Sequence, residues 1–148
     1  MEILSIELIT YGLGHILKPE LIKPIRNDSF VKPAGGLWAS PIDSNYGWKE
    51  WCKEESFGNL ESYFTFMFKG NVFIINSERN LHEIPWLTTI YSYAKYPDFE
   101  AMSKNGIDAI WLTEKGEAET RFSIPEGLYG WDCESVLVMN PKTITSNY

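Results

Sequence analysis

The polar and apolar positions fall into short periodic stretches separated by turn chemistry. Residues 2–10 alternate, with Ile3, Ile6, Leu8 and Ile9 as branched or aliphatic positions. A period of two with β-branched residues predicts a first strand. The stretch Gly12-Leu13-Gly14-His15 then predicts a turn with an exposed polar end, and the proline-rich stretch 16–34 predicts loop with one helical turn at 19–22. Leu37-Trp38-Ala39-Ser40 is a short strand stopped by Pro41.

The period changes at residue 46. Trp48, Trp51, Cys52 and Glu55 recur at helical spacing, with Lys49, Glu50, Lys53 and Glu54 on the opposite side. Asp43-Ser44-Asn45 precedes them as cap chemistry, so the spacing predicts an amphipathic helix over 46–57. Residues 63–69 and 72–76 read as two strands around a Gly70-Asn71 hairpin turn. Residues 78–93 predict a helix on either side of Pro85, and 98–105 predict a helix closed by Gly106. Strands follow at 107–113, 120–124 and 131–139, the last ended by Pro141. The pattern predicts an α+β fold of six or seven strands and two or three helices, as a single domain over residues 1–148.

Composition narrows the function classes. A chain of 148 residues buries a core without disulfide staples. The net charge of −7 disfavours an extended nucleic-acid surface but leaves room for a local basic pocket. Two cysteines, Cys52 and Cys133, make no disulfide framework, which suits a reducing cytoplasm. The N-terminal residues are acidic where a secretion signal is basic. No apolar run approaches the roughly 18 residues of a membrane span. Two histidines and two cysteines without paired spacing give no metal site. Aromatic content of 15%, including 6 Trp, is high enough to require an explanation beyond core filling.

Four constellations carry candidate chemistry. His15 sits on a glycine turn where a ligand can approach the backbone closely. Gly35 and Gly36 lead into Trp38, a flat stacking face, and Ser40, a hydroxyl at a strand end. Ser44 and Tyr46 precede the amphipathic helix, and Tyr46 with Trp38 suggests an aromatic clamp. Asp132 and Glu134, two apart on an expected strand, point to one face. Paired carboxylates of this kind suit a developing positive charge, as on a ribosyl cation. Cys133 between them points inward as core, with no base in sequence to activate it.

Taken in order, these pieces resemble the ADP-ribosyltransferase fold family. Asp132-Cys133-Glu134-Ser135 and the apolar run after it are similar to the acidic-x-Glu segment of toxin-like transferases. Gly36-Leu37-Trp38-Ala39-Ser40 with Ser44 and Tyr46 looks like the polymerase-type stretch. The family's His-Gly-Ser/Thr is replaced here by Gly14-His15-Ile16, and Ser44 to Tyr46 is one residue shorter than the polymerase spacing. The resemblance implies two small packed sheets around a cleft that holds NAD. It implies Glu134 as the catalytic glutamate and Asp132 as its helper acid. His15, Trp38, Ser40, Ser44 and Tyr46 would bind NAD, with Tyr46 or Trp38 on the nicotinamide and His15 on the adenosine ribose.

The expected activity is ADP-ribosyl transfer to a protein or small acceptor, or NAD hydrolysis. The rival hypothesis is a non-enzymatic module that captures a protein or nucleotide through its aromatic surface. A carbohydrate-binding module is a third possibility, disfavoured by the reducing-compartment signature.

Overall fold

The computed structural model describes residues 1–28, 31–89 and 95–146. Part of the expected helix after Pro85, at 90–93, lies outside the described residues. Nine strands and four helices are present among those described. The strands are β1 (Glu2–Tyr11), β2 (Lys23–Arg26), β3 (Ala34–Pro41), β4 (Tyr63–Ile75), β5 (Trp86–Thr88), β6 (Lys95–Pro97), β7 (Ala109–Leu112), β8 (Ser135–Val138) and β9 (Ile144–Ser146). The helices are α1 (Trp48–Glu55), α2 (Glu78–Leu81), α3 (Phe99–Lys104) and α4 (Glu114–Thr120).

Five strands close on themselves in the order β1-β3-β8-β7-β4, and β1 returns to β4. The long seam is β1 against β4, antiparallel from Glu2–Val72 to Tyr11–Tyr63. The short seam is β1 against β3, at Leu8–Pro41 and Ile9–Ser40. β4 and β7 are parallel, and the segment between them carries α2, β5, β6 and α3. β2 extends β3, β9 extends β4, and β5 with β6 form a separate two-stranded sheet. The architecture is thus α+β, with a closed five-stranded barrel and a second small sheet.

Strand alternation divides the core in two. Leu8, Leu37, Ala39, Phe64, Phe66, Phe68, Ala109, Val136 and Val138 belong to one buried cluster. Ile110, Leu112 and Leu137 belong to the other, with Phe99, Met102, Leu128 and Trp131. All four residues of β8 are buried, and after Ser135 they are apolar, because both faces of the strand are covered.

Several expectations change in the structure. The two strands around Gly70-Asn71 are one strand, β4. A primed hairpin turn needs positive φ at its central residues, and neither Gly70 nor Asn71 has it. Gly70 instead makes room for Asp108, whose Oδ2 lies 2.7 Å from where a Gly70 Cβ would sit and accepts the Asn71 N–H at 2.8 Å. The expected strand at 120–124 is instead the end of α4 and a turn. Thr113 caps α4 by accepting the Gly116 N–H at 3.0 Å. Gly116 weakens the helical pattern in sequence, yet a Cβ there would stand 2.1 Å from the Ile75 carbonyl oxygen. Only glycine lets α4 dock on β4. After Pro85 the chain forms β5. The 98–105 helix is α3, capped by the Asp98 side chain, with Gly106 at φ +89° behind it.

The barrel interior is stacked with Phe64, Phe66 and Phe68 from alternate positions of β4. Phe66→Ala is expected to cost about 3–5 kcal/mol of folding stability, measured by urea denaturation. A cost under about 1 kcal/mol would show that this interior is not tightly packed.

Candidate functional site

Three of the four constellations meet at the end of β3. The helix α1 begins one residue after Gly47, closer than the 46–57 span expected. Ser40, at the end of β3, places its Oγ 2.9 Å from the Trp48 N–H and accepts from it. The hydroxyl therefore serves an otherwise unpaired donor of the first helical turn from a neighbouring strand. The same hydroxyl donates to the Glu134 carbonyl at 2.9 Å. Gly47 permits this approach: a Cβ there would lie 2.8 Å from both Cβ and Oγ of Ser40. The Asp43-Ser44-Asn45 stretch expected to cap the helix does not do so. Glu50 closes the first turn instead, accepting from the Gly47 N–H at 3.1 Å.

Ser44 is turned to the acidic segment. Its Oγ donates to Glu134 Oε1 at 2.5 Å, and the Trp111 indole donates Nε1–H to Glu134 Oε2 at 2.9 Å. The Glu134 N–H donates to the Tyr46 carbonyl at 2.9 Å. Glu134 is 9% exposed, and each carboxylate oxygen has a donor. Burying a carboxylate is costly without such partners. By sequence, Trp111 carries no candidate role. It faces the barrel side of β7, beside Ala109 in the alternation, and its indole nitrogen fixes the carboxylate. No spacing in the sequence links residues 111 and 134; only the β7–β8 pairing brings them together.

The expected acid pair does not form. β8 starts at Ser135, so Asp132 and Glu134 precede the strand and the two-residue alternation does not govern them. Asp132 is turned to Arg121, 3.0 Å from Nη1, and the same guanidinium nitrogen is 3.0 Å from Glu117 Oε1. Cys133 is buried as expected, and burial pushes its thiol up to about 12 while the Ser135 hydroxyl acts against that rise. A thiol so protonated is no nucleophile.

Trp38 and Tyr46, expected as an aromatic clamp, are turned to different partners. Trp38 packs edge-on against Trp131 at 4.7 Å and against Trp48 at 6.1 Å, between ring centroids. Trp48 continues to Trp51 at 5.9 Å, and Trp51 to Phe57 at 5.4 Å. The Lys32 ammonium lies 5.8 Å from the Trp38 ring and 5.5 Å from the Trp48 ring, within cation–π range. Tyr46 donates its hydroxyl to Glu54, with no ring contact to Trp38 among the described residues. His15 is exposed on its glycine turn and lines a separate hollow with Leu13, Ile16, Lys18 and Leu21.

Of the cavities that adjoin this assembly, two lie against α1. A cavity of about 270 Å³ is lined by Tyr11, Ser40, Pro41, Ser44, Trp48 and Glu50, among others. A cavity of about 380 Å³ lies between the end of β1, the first half of β3 and the helix α1, with Trp38, Trp48 and Phe57 in its wall. Tyr11 and Trp48 belong to both. The Trp48 indole nitrogen is buried and has no hydrogen-bond partner among the described residues. No family model, no curated protein and no solved structure matches this chain. The chemistry of the site therefore rests on its own geometry.

Two outcomes follow from these contacts. Ser44→Ala removes the donor on Glu134 Oε1 and is expected to cost about 1–3 kcal/mol in urea denaturation. The Glu54 carboxylate raises the Tyr46 phenol from 10.0 to about 12, first through their hydrogen bond. The native state holds this proton more tightly than the unfolded chain. The resulting stability is complete below pH 10 and is lost as pH rises through about 12. Ultraviolet titration of Glu54→Gln should return the Tyr46 transition towards pH 10.

Proposed function

We propose that this protein is an NAD-using ADP-ribosyltransferase or NAD glycohydrolase, with Glu134 as the carboxylate that meets the ribosyl cation. The single observation behind this is the convergence of Ser44 and Trp111 on the two oxygens of Glu134, across long sequence separations. A group that stabilises a transient cation acts best when its direction is fixed before the charge develops. The barrel with its flanking helices would then be a variant of the ADP-ribosyltransferase arrangement, with the ligand cleft along the outer end of β3. The 270 Å³ cavity beside Ser40 and Ser44 would take the nicotinamide ribose, with Tyr11 or Trp48 against the ring.

In that mechanism the nicotinamide–ribose bond breaks and its electron pair leaves with the nicotinamide nitrogen. Positive charge grows on the ribose, opposite the Glu134 carboxylate. Water or an acceptor nucleophile then bonds to the anomeric carbon and loses a proton. Ser44 and Trp111 position the carboxylate, and Ser44 also lines the cavity proposed for the ribose. Asp132 takes no part, because Arg121 holds it. His15 belongs to a different hollow from Ser40 and Ser44, so adenosine contacts there are not part of the proposal.

The alternative is a non-enzymatic module that binds a protein or a nucleotide. Its support is the low exposure of Glu134, both of whose oxygens already have donors. Nicotinamide release from NAD separates the two. Glu134→Gln keeps the shape and removes the charge. It is expected to lower release by about 100-fold or more while thermal unfolding changes little. Equal release by wild type and variant, or none by wild type, would favour the binding module.

A further inference from the structure

The two serines around the end of β3 use their hydroxyls differently. Ser40 Oγ donates to the Glu134 carbonyl, accepts from the Trp48 N–H, and is buried. Both of its hydrogen-bonding roles are taken. Ser44 Oγ donates its one proton to Glu134 Oε1 at 2.5 Å and accepts from no group among the described residues. Ser44 is half-buried and lines the cavity of about 270 Å³. Its proton is therefore committed to a carboxylate while its lone pairs stay unengaged at the cavity wall. The turn that carries it is fixed, because the Ser44 N–H donates to the Pro41 carbonyl at 3.1 Å.

A hydroxyl bonded to a base that is itself oriented by a third group is the arrangement of an activated nucleophile. Glu134 is that base. The Trp111 indole N–H holds Oε2 at 2.9 Å, which leaves Oε1 to Ser44. Helix α1 adds the remaining part. Its eight residues start beside Ser44, whose Cβ lies 3.4 Å from where a Gly47 Cβ would sit. The Trp51 N–H donates to the Gly47 carbonyl, and the Trp48 N–H is held by Ser40. The N–H groups of Lys49 and Glu50 keep no acceptor among the described residues, and both residues line the cavity. The N–H groups of a first helical turn point out of its N-terminal end, where they stabilise a negative oxygen.

We propose that Ser44 is a nucleophile and that this cavity is an acyl-transfer site for small, uncharged carboxylic esters. Its volume of about 270 Å³ suits a short acyl chain, against an apolar wall of Ile9, Pro41 and Ile42. Lys49 and Glu50, the charged residues of the lining, cancel, which suits an uncharged substrate. Ser44 Oγ bonds to the ester carbonyl carbon as its proton passes to Glu134 Oε1. The carbonyl π pair moves onto its oxygen, which faces the Lys49 and Glu50 N–H groups. The bond to the leaving alcohol then breaks, and that oxygen takes the proton from Glu134. Water bonds to the acyl carbon and passes a proton to Glu134. The Oγ–C bond breaks, and Oγ takes that proton back as the carboxylic acid leaves. Trp111 is a positioning residue. The carboxylate acts here as a base and not opposite a cation, so the inference does not rest on the proposed NAD activity.

The test is covalent labelling of the whole wild-type chain with a fluorophosphonate, mapped by peptide mass spectrometry, beside turnover of p-nitrophenyl acetate. Label on Ser44 and a burst of nitrophenolate are expected. No label, or label and acetyl only on lysine, tyrosine or another serine, overturns the proposal. This readout needs no variant to fold. Ser44→Ala should abolish the burst, and Glu134→Gln should slow it about 100-fold or more. A burst rate within about twofold of wild type in either variant also overturns the proposal. Trp111→Phe keeps a ring on β7 and loses the donor. It should lower kcat about tenfold with KM unchanged, a split that a purely structural role does not produce. An unchanged kcat overturns the positioning role. Label on Ser44 without nicotinamide release removes the proposed NAD activity alone. Nicotinamide release that Glu134→Gln abolishes, without label on Ser44, removes this inference alone.

Discussion

Closure of the barrel through β1 is the constraint on which the rest of the structure depends. The strand is paired along ten residues to β4, and at Leu8 and Ile9 it also meets β3. A two-edged strand leaves no free register: a slip by one residue would turn Leu8 out of the barrel and bring Glu7 or Ile9 into its place. The short seam to β3 decides where that strand ends. It therefore decides where Ser40 stands, and Ser40 carries both the start of α1 and the carbonyl of Glu134. Fold and site are joined through one hydroxyl.

The burial of Glu134 is best understood from that connection. A carboxylate at 9% exposure is stable only where its lost hydration is replaced. Its replacement comes from two parts of the chain that meet only when the barrel closes, Ser44 after β3 and Trp111 on β7, while the Tyr46 carbonyl accepts the Glu134 backbone N–H. Such an arrangement is what the proposed catalysis would need, because donors fixed by the fold require no reorganisation during reaction. Cys133 beside it has the opposite character. Burial keeps its thiol protonated, and it acts as core.

The aromatic surplus divides along the same lines. The run Trp131, Trp38, Trp48, Trp51 and Phe57 passes from the buried outer core to the exposed rim of the larger cavity. Trp131 is anchored by its indole to the Val31 carbonyl at 2.6 Å and is plainly structural. Trp48 is different, since its indole nitrogen is buried and without a partner among the described residues. Leaving a donor unmet costs about 1–3 kcal/mol.

Local chemistry alone determined a good part of this protein. The alternation at residues 2–10, the helical spacing from Trp48 to Glu55, and the 98–105 helix with its Gly106 stop are all short-range signals, and each appears close to where its pattern places it. The α+β class and the inward-facing Cys133 were legible for the same reason. Tertiary structure decided whatever depended on a distant neighbour. Gly70 is a close-approach residue because Asp108 arrives above it, not a turn. Gly116 sits inside a helix because β4 presses against it. Asp132 and Glu134 share a local motif, yet Arg121 takes one and Ser44 with Trp111 take the other. A sequence pattern reports periodicity over a few residues, whereas the partner that satisfies a buried charge is chosen by packing across the whole barrel.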